Sequence, residues 1–199
     1  MKKTLFAIGL IMTLSACQTT TTVQDVQNFA PCTFPDSPSD KAPAWVCDVM
    51  PTDLAAGATG YAKKSAAGMS LMKKVAVNNA RVALASQFQT DVNNMFKQAI
   101  EGQIATDTLA GSSESVLETF EDVTKNVVTR SLSNSKVIVS QVSPAGGLYV
   151  LVGMDQQTFD TNVDKVVAVA GEEAKLWDQF NNENAAKELS QALESLKSM

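Results

Sequence analysis

The sequence of 199 residues contains no histidine. Histidine is the usual general base near neutral pH and the commonest side-chain ligand of transition metals, so Ser-His-Asp and Cys-His catalytic arrangements are excluded. Beyond residue 17 no uninterrupted apolar stretch is longer than that of Val166–Ala170, far short of the roughly 20 residues that a membrane-spanning helix needs. We therefore expect a protein that is not an enzyme, holds no metal ion or cofactor, and does not cross a membrane.

The first residues are typical of a secretory signal that ends at an acylated cysteine. Lys2 and Lys3 precede the apolar run Leu5–Met12, and Leu14-Ser15-Ala16-Cys17 follows. A basic start, an apolar core and small residues before the cut define a signal peptide. The last four residues fit the lipobox, in which cysteine becomes the new N-terminus and carries lipid. We expect residues 1–16 to be removed and Cys17 to anchor the chain in a membrane, rather than an ordinary secreted protein with a chance cysteine.

The residue after the cysteine bears on which membrane holds the chain. Gln18 stands where many Gram-negative lipoproteins retained on the inner membrane carry aspartate. The sequence therefore favours the outer membrane, with the protein facing the periplasm. Each buried methylene of an acyl chain contributes about 0.8 kcal/mol, and more than one chain makes the anchor durable.

Cationic side chains are few once the signal is removed. Cleavage takes away two of the 16 basic residues and none of the 21 acidic ones, so 14 basic and 21 acidic side chains remain, a net charge of −7. Nucleic-acid binding would need a basic patch, so a nucleic acid is not an expected partner. The overall charge is equally unsuited to coating anionic lipid.

Two cysteines remain after Cys17. Cys32 and Cys47 lie in a segment rich in Pro, Ser and Asp. In an oxidising compartment such a pair is typical of a disulfide, which on the chain-entropy model stabilises by about 3 kcal/mol. The alternative, a thiolate metal site, has only these two ligands available.

The chain before the folded domain is predicted to be a linker. Thr19–Thr22 and the following polar residues favour a flexible tether, and residues 29–43 contain four prolines, too many for regular structure. We expect residues 17–42 to be the lipidated N-terminus and linker, and the fold to begin at Ala44-Trp45-Val46.

Periodicity then predicts an α+β domain over residues 43–154. A short strand is expected at Ala58–Lys63. A long helix is expected over residues 70–101, and a second helix over residues 113–132. Their apolar stripes are Leu71, Val75, Leu84, Phe88, Val92, Met95, Phe96 and Ile100 in the first, and Val116, Leu117, Phe120, Val123, Val127 and Val128 in the second.

The pattern next changes to strands. Val137–Val142 and Leu148–Met154 are β-rich and are joined by Ser143–Gly147, which predicts a β-hairpin. Residues 155–199 return to helical spacing and are expected to form a C-terminal helical extension. The fold class is therefore α+β, with a small antiparallel sheet of one strand and a hairpin packed on amphipathic helices.

Catalytic motifs are incomplete. Ser70-Leu71-Met72-Lys73 fits the Ser-x-x-Lys element of penicillin-recognising enzymes, but the companion Ser-Asp-Asn and Lys-Thr-Gly elements are missing. We interpret it as a helix start with a solvated lysine. The carboxylates Glu114, Glu118, Glu121 and Asp122 are typical of a solvated helix face. Asp155, Asp160 and Asp164 lack the spacing of a calcium loop.

The helical extension offers candidate interaction residues: Trp177, Leu189, Leu193 and Leu196. A stripe on an isolated short helix needs an apolar partner, since such a helix is marginal in water. It either folds back on its own domain or meets another copy or another envelope protein.

Several motifs in a fixed order carry a resemblance. They are the lipobox, Pro43-Ala44-Trp45-Val46, Gly57 and Gly60, Asn79–Phe88, and Tyr149–Val152. Together they resemble the Lpp-twenty lipoprotein family over residues 43–154. The cysteine-containing linker and the helices after Asp155 depart from that pattern. The resemblance implies a non-enzymatic envelope lipoprotein, in some members part of a ring or disk around the flagellar motor.

We therefore expect a structural or interaction role in the cell envelope, with other envelope proteins or further copies of the chain as partners, and flagellar assembly as one version of it. A second hypothesis is a regulator or binding partner of a cell-wall enzyme. A third, a hydrolase, would require a carboxylate pair in a pocket.

Overall fold

The computed structural model describes residues 31–103, 113–131, 134–178 and 183–196. Cys17 and the expected signal peptide lie outside this part of the chain. The described elements, in chain order, are β1 (Thr33–Phe34), β2 (Ser37–Lys41), a 3-10 helix (Ala44–Cys47), β3 (Ala56–Ala62), α1 (Met69–Gln103), α2 (Ser113–Ser131), β4 (Lys136–Val142), β5 (Leu148–Met154), α3 (Gln156–Glu172), α4 (Ala174–Asp178) and α5 (Glu183–Leu196).

The predicted hairpin and strand form one antiparallel sheet in the order β3-β5-β4. β5 is the central strand, and all seven of its residues are buried. It pairs with β3 from Ala56 opposite Met154 to Ala62 opposite Leu148. The α+β class expected from the sequence is confirmed.

Helix α1 packs on β3 and β5 at very short range. A Cβ atom built on Gly60 would lie within 3.0 Å of backbone atoms of Ala76 and Ala80. Only a glycine facing alanines allows the helix and the strand to approach so closely.

The buried residues of α1 are spaced by four along its whole length: Met72, Ala76, Ala80, Leu84, Phe88, Val92, Phe96 and Ile100. Four residues of an α-helix turn through about 400°, so this stripe winds slowly around the helix axis. Its first half faces the sheet and its second half faces other helices. Leu71 and Val75, which the sequence pattern placed on the buried stripe, are 46% and 41% exposed, so that part of the prediction is wrong.

The later helices pack on the second half of α1. The ring of Phe96 stacks on that of Phe120 in α2 at a centroid distance of 3.7 Å, and Phe88 meets Phe159 of α3 edge-on at 5.1 Å. Helix α5 contacts α1 and α3. Residues of α3, α4 and α5 thus belong to the same apolar core as the sheet. The predicted extension is part of the domain.

The proline-rich segment is more ordered than its composition predicts. β1 and β2 form a two-stranded antiparallel sheet within residues 33–41, and the 3-10 helix follows. The compact unit begins at Pro31, not at residue 43. For residues 31–42 the prediction of a linker is therefore wrong; the rest of that predicted linker lies outside the described residues.

Candidate interaction surfaces

A carboxylate in the turn between β1 and β2 collects three hydroxyl donors. The Oδ2 atom of Asp36 accepts hydrogen bonds from Ser143 Oγ at 2.7 Å and from Tyr61 Oη at 3.1 Å. Its Oδ1 atom accepts one from Tyr149 Oη at 3.0 Å. The donors come from β3, β5 and the hairpin loop, so one side chain joins the N-terminal segment to three parts of the sheet.

The groups of this cluster keep fixed protonation states near neutral pH. Partial burial alone would raise the pKa of Asp36, but the hydrogen bonds from Ser143, Tyr149 and Tyr61 outweigh it, and the pKa is lowered. Burial and the bond to Asp36 raise the pKa of Tyr149 to about 12 and also raise that of Tyr61. An ionised acceptor therefore faces protonated donors, an arrangement that holds structure together and leaves none of the three groups poised to exchange protons near pH 7.

Apolar packing and a disulfide surround the cluster. Tyr149 contacts the ring of Phe34 at 5.4 Å and the ring of Tyr61 at 4.7 Å between centroids. Cys32 and Cys47 form the disulfide that the sequence predicts, with their Cα atoms 5.9 Å apart. The segment from Cys32 to Cys47 is thereby fixed over the sheet face opposite α1.

Strand β4 stands in contrast to the rest of the sheet, because all seven of its residues are exposed. The exposed fractions of its large apolar side chains are 39% for Val137, 42% for Ile138, 38% for Val139 and 42% for Val142. Among the described elements its principal contacts are with β5, and the described helices and N-terminal segment leave it exposed.

β4 is last in the three-stranded sheet, so one of its edges has no strand partner among the described residues. Unpaired edges are templates for strand addition, and proteins usually protect them with charges, prolines or bulges. Here a bulge interrupts the pairing with β5 between Val137 and Val139. Lys136, the one charged residue of the strand, pairs with Asp155 at 3.4 Å. From Val139 to Val142 the pairing with β5 is regular and the strand carries no charge.

A second exposed surface lies on the first half of α1. Leu71, Val75 and Val82 are 46%, 41% and 61% exposed, beside the exposed cations Lys74 and Arg81. The sequence has no acidic residue from 54 to 90. The negative charge of the protein is therefore unevenly distributed, with a locally cationic helix on one side of the domain.

The interaction residues proposed from the sequence do not form an exposed surface. Leu189, Leu193 and Leu196 are 0%, 5% and 2% exposed and lie in the main core. Trp177 is half-buried and donates from Nε1 to the carbonyl of Gly171 at 2.8 Å. The stripe folds back on its own domain, which was one of the two sequence-based alternatives. The three buried leucines are therefore not available for docking a partner, whereas Trp177 stays partly exposed.

The carboxylates considered as catalytic or metal-binding groups lie, where the structure describes them, at the surface of the domain. Glu118, Glu121 and Asp122 are exposed on α2. Asp155 is the N-cap of α3 and accepts a hydrogen bond from the backbone N–H of Thr158 at 2.9 Å. Among the described residues, no three His, Cys, Asp or Glu side chains come together as a metal site.

Sequence reasoning missed both principal features. Asp36 carried no signal, because a single aspartate beside a proline resembles any turn residue. The exposure of β4 could not be predicted for another reason. Its run of β-branched residues predicts a strand but does not indicate whether that strand is buried or exposed.

The comparisons with known proteins give one family. The model of the LPP20 lipoprotein family matches residues 43–155, more than half of the chain. No curated protein matches the sequence. Of the helices that the structure describes, none is both long and apolar enough to cross a membrane. The match starts within the disulfide-closed segment and ends at the N-cap of α3, so it covers the whole three-stranded sheet, α1 and α2. The chain belongs to the LPP20 lipoprotein family.

Proposed function

We propose that this protein is an outer-membrane lipoprotein that works by assembly in the periplasm, as a structural component and not as a catalyst. The observation that carries the proposal is the bare apolar strand β4. Within the described part of the chain, β3 and β5 of the same sheet are largely buried, whereas every residue of β4 is exposed and the strand lies at one edge of the sheet. Such a strand favours pairing with another protein.

The anchor is the second part of the proposal. Membership of a lipoprotein family supports acylation, and Cys17 is the residue in the lipobox. Gln18 supports the outer membrane as the destination. Acylation would tether a domain whose described helices do not cross a membrane.

The polar chemistry of the domain supports a non-enzymatic role. Its most connected polar cluster, around Asp36, has a lowered carboxyl pKa and raised tyrosine pKa values. General acid–base catalysis works best with groups whose pKa lies near the working pH. The cluster therefore suits fixing the N-terminal segment, and assembly is left as the task for the exposed surfaces.

Flagellar assembly is the narrower version of this function. Its support is the family resemblance, which implies for some members a place in a ring or disk around the flagellar motor. The alternative hypothesis, a regulator of a cell-wall enzyme, requires the same lipid anchor but a different protein partner. Identifying the partner would therefore distinguish the two hypotheses.

The anchor is tested in the living cell. We expect radiolabelled palmitate to enter the full chain and to be absent from the Cys17→Ser variant. The labelled protein should fractionate with the outer membrane, and Gln18→Asp should move it to the inner membrane. Label retained by Cys17→Ser would overturn the anchor, and inner-membrane fractionation of the unaltered chain would overturn the destination alone.

Assembly is tested by extracting the anchored protein in mild detergent and measuring its native mass. We expect a mass above that of one chain, reduced by Val139→Lys on β4. The matched control is Val169→Lys, because Val169 on α3 is also exposed, at 43%. A deletion strain should show defects in motility or envelope integrity. A monomer in the extract together with an unaffected deletion strain would contradict the proposal, as would turnover of a cell-wall substrate by the purified protein.

A further inference from the structure

We propose that the exposed face of the first half of α1 lies on the surface of an anionic phospholipid bilayer, the one in which the chain is anchored. This inference rests on the anchor at Cys17 proposed above and adds an orientation to it. The domain then rests on the membrane by one defined side instead of turning freely on its tether.

Positive charge is concentrated at the start of α1. Five exposed cations lie on the helix or in the loop that leads into it: Lys63, Lys64, Lys73, Lys74 and Arg81. No acidic residue occurs from position 54 to position 90. Within the described part of the chain, none of the five cations forms an ion pair. This side of an otherwise acidic domain therefore has the charge that complements an anionic surface.

The electrostatics of the helix itself do not explain these lysines. The N-terminus of a helix carries partial positive charge, so acidic residues stabilise the first turn and cations are better placed at the other end. The first turn of α1 contains no acidic residue, and Lys73 and Lys74 follow in the second turn. Their charge adds to that of the helix end. A local rule broken in this way is typical of a functional surface, and here it favours an anion outside the domain.

Apolar side chains accompany the cations. Leu71, Val75 and Val82 are 46%, 41% and 61% exposed. They are four and then seven positions apart, which places them along one stripe of the helix. Helices that lie in a bilayer interface combine basic residues with an apolar stripe, which enters the boundary between headgroups and acyl chains. The first half of α1 has both features on its exposed side.

The shape of this face favours a bilayer over a peptide. A shallow depression between the cationic side chains is lined, among the described residues, by residues of α1 alone, from Ser70 to Arg81. Peptides bind in grooves whose walls come from more than one element, and no second described element forms a wall here. A convex helix surface instead fits a membrane, where mobile headgroups can gather around it.

The tether keeps the domain close to the bilayer without selecting a face. The chain from Cys17 to Pro31, where the compact unit begins, spans at most about 50 Å when fully extended, since each residue contributes no more than about 3.3–3.6 Å. Anchoring therefore raises the effective concentration of the membrane surface around the domain, as linking two modules does. The position of the cations then decides which face meets the bilayer.

The net negative charge of the mature chain does not oppose this contact. Salt screens charges over about 8 Å at physiological ionic strength, so the charges near the bilayer decide the contact, not the sum over the protein. Each cation close to an anionic leaflet favours docking by roughly fivefold. The contact should therefore need anionic lipid and should weaken as the salt concentration rises.

The test uses the full acylated chain, purified in mild detergent and reconstituted into vesicles. One set of vesicles contains phosphatidylcholine alone, and in the other set part of it is replaced by phosphatidylglycerol. Val75→Cys carries an environment-sensitive fluorophore, because with Cys32 bonded to Cys47 and Cys17 acylated the introduced cysteine is the one free thiol. Spin-labelled lipid quenches the fluorophore where it touches the bilayer. We expect several-fold stronger quenching in the anionic vesicles, and loss of that difference at high salt.

The control for position is the same fluorophore on Val169→Cys. Val169 lies on α3 and is 43% exposed, against 41% for Val75, and the acidic residues Glu172 and Glu173 follow it closely in sequence. Quenching at Val169→Cys should be weak and equal in the two sets of vesicles.

The control for charge uses substitutions in the labelled Val75→Cys chain. Lys73→Glu together with Lys74→Glu should reduce quenching in the anionic vesicles to the level of the zwitterionic ones. Lys175→Glu removes an exposed lysine of α4 and should leave the quenching unchanged. An equal effect of both changes would mean that net charge, not the α1 surface, controls the contact, and would overturn the proposal.

The remaining outcomes separate the docking from the anchor. Quenching at Val75 that equals that at Val169, or that does not depend on lipid charge, would overturn the docking and leave the anchor standing. Fluorescence at Val75 that changes with the amount of protein per vesicle, but not with the quencher, would mean that an acidic protein surface covers this face instead. Chain that salt washes from the vesicles would show that Cys17 is not acylated, and the docking would fail together with the anchor.

Discussion

The Oδ2 atom of Asp36 lies 2.7 Å from the hydroxyl of Ser143, which is 107 positions later in the sequence. The same carboxylate bonds Tyr61 and Tyr149, so the N-terminal segment is held to the sheet by one ionised side chain. Hydrogen bonds to charged groups each contribute about 1.5–3 kcal/mol, and several here share one acceptor.

The first prediction is that Asp36→Asn lowers the free energy of unfolding at pH 7 by about 1–3 kcal/mol. Because the pKa of Asp36 is lowered in the folded protein, its contribution is present above the unfolded pKa of about 3.9 and is lost as pH falls through the folded pKa. The difference between variant and wild type should therefore shrink in acid. Urea unfolding of residues 18–199 at pH 7 and pH 3 measures it, and an equal difference at both would contradict the assignment.

The second prediction concerns the alkaline limit. The pKa of Tyr149 is raised to about 12 from 10, so its stabilising effect is complete below pH 10 and is lost as pH rises from 10 through 12. A shift of two units corresponds to roughly 2–3 kcal/mol. Tyr149→Phe should cost about 1 kcal/mol at pH 7 and lose less stability than wild type above pH 10. Parallel pH curves for the two proteins would refute this.

The same tyrosine can be followed directly. The chain has two tyrosines, and the pKa of each is raised in the folded state. Tyrosinate absorbance of Tyr61→Phe then reports Tyr149 alone. Its titration should be centred well above that of the urea-unfolded protein.

The third prediction tests the close approach of α1 to β3. A Cβ at Gly60 would meet backbone atoms of Ala76 and Ala80, which cannot rotate away. Gly60→Ala should therefore destabilise by about 1–3 kcal/mol, as overpacking does. Gly171→Ala is the control, since nothing lies within 4 Å of its Cβ position and alanine favours a helix by about 0.5–1 kcal/mol. Opposite signs in thermal unfolding are expected, and a neutral Gly60→Ala would refute the close packing.

The fourth prediction concerns the disulfide. It closes a loop with a sequence separation of 15, which on the chain-entropy model stabilises by about 3 kcal/mol. The double variant Cys32→Ser and Cys47→Ser should lose about that much and keep its helical circular dichroism, because neither cysteine contributes to the main core. Reduction of the wild type should reproduce the loss. A collapse of the helical signal would show that the segment is needed for the whole fold.

The sequence was informative where one periodic pattern had one structural explanation. The hairpin around Ser143–Gly147 and the buried stripe of α2 were predictable. Alternation of apolar and polar residues predicts a strand, and apolar residues three or four positions apart predict a helix. The buried stripe of α1 was only half predictable. The first turns of α1 bury the small residues Ala76 and Ala80 against Gly60 and leave Leu71 exposed. The larger apolar side chain therefore did not indicate which face of the helix is buried.

Candidate sites were harder to predict, because they depend on contacts between distant residues. The bond from Ser143 to Asp36 joins two segments that share no pattern. The exposure of β4 depends on where the helical layer ends. The sequence of the strand itself contains no information about that position. Cysteine spacing, by contrast, predicted the Cys32–Cys47 bond, because two thiols in an oxidising compartment have few other outcomes.

The last prediction tests whether α5 belongs to the domain, using two leucines on helices. Leu189 is 0% exposed and packs in the main core, whereas Leu71 on α1 is 46% exposed. Leu189→Ala removes buried methyl groups and leaves a cavity, so it should lower the free energy of unfolding by about 2–5 kcal/mol. Leu71→Ala should change it by less than about 0.5 kcal/mol, as surface substitutions do. Both are read from urea midpoints with an unchanged slope, since a changed slope would indicate altered compactness. A small effect of Leu189→Ala with a large effect of Leu71→Ala would mean that the sequence-based stripe through Leu71 was right and that α5 is free to bind a partner.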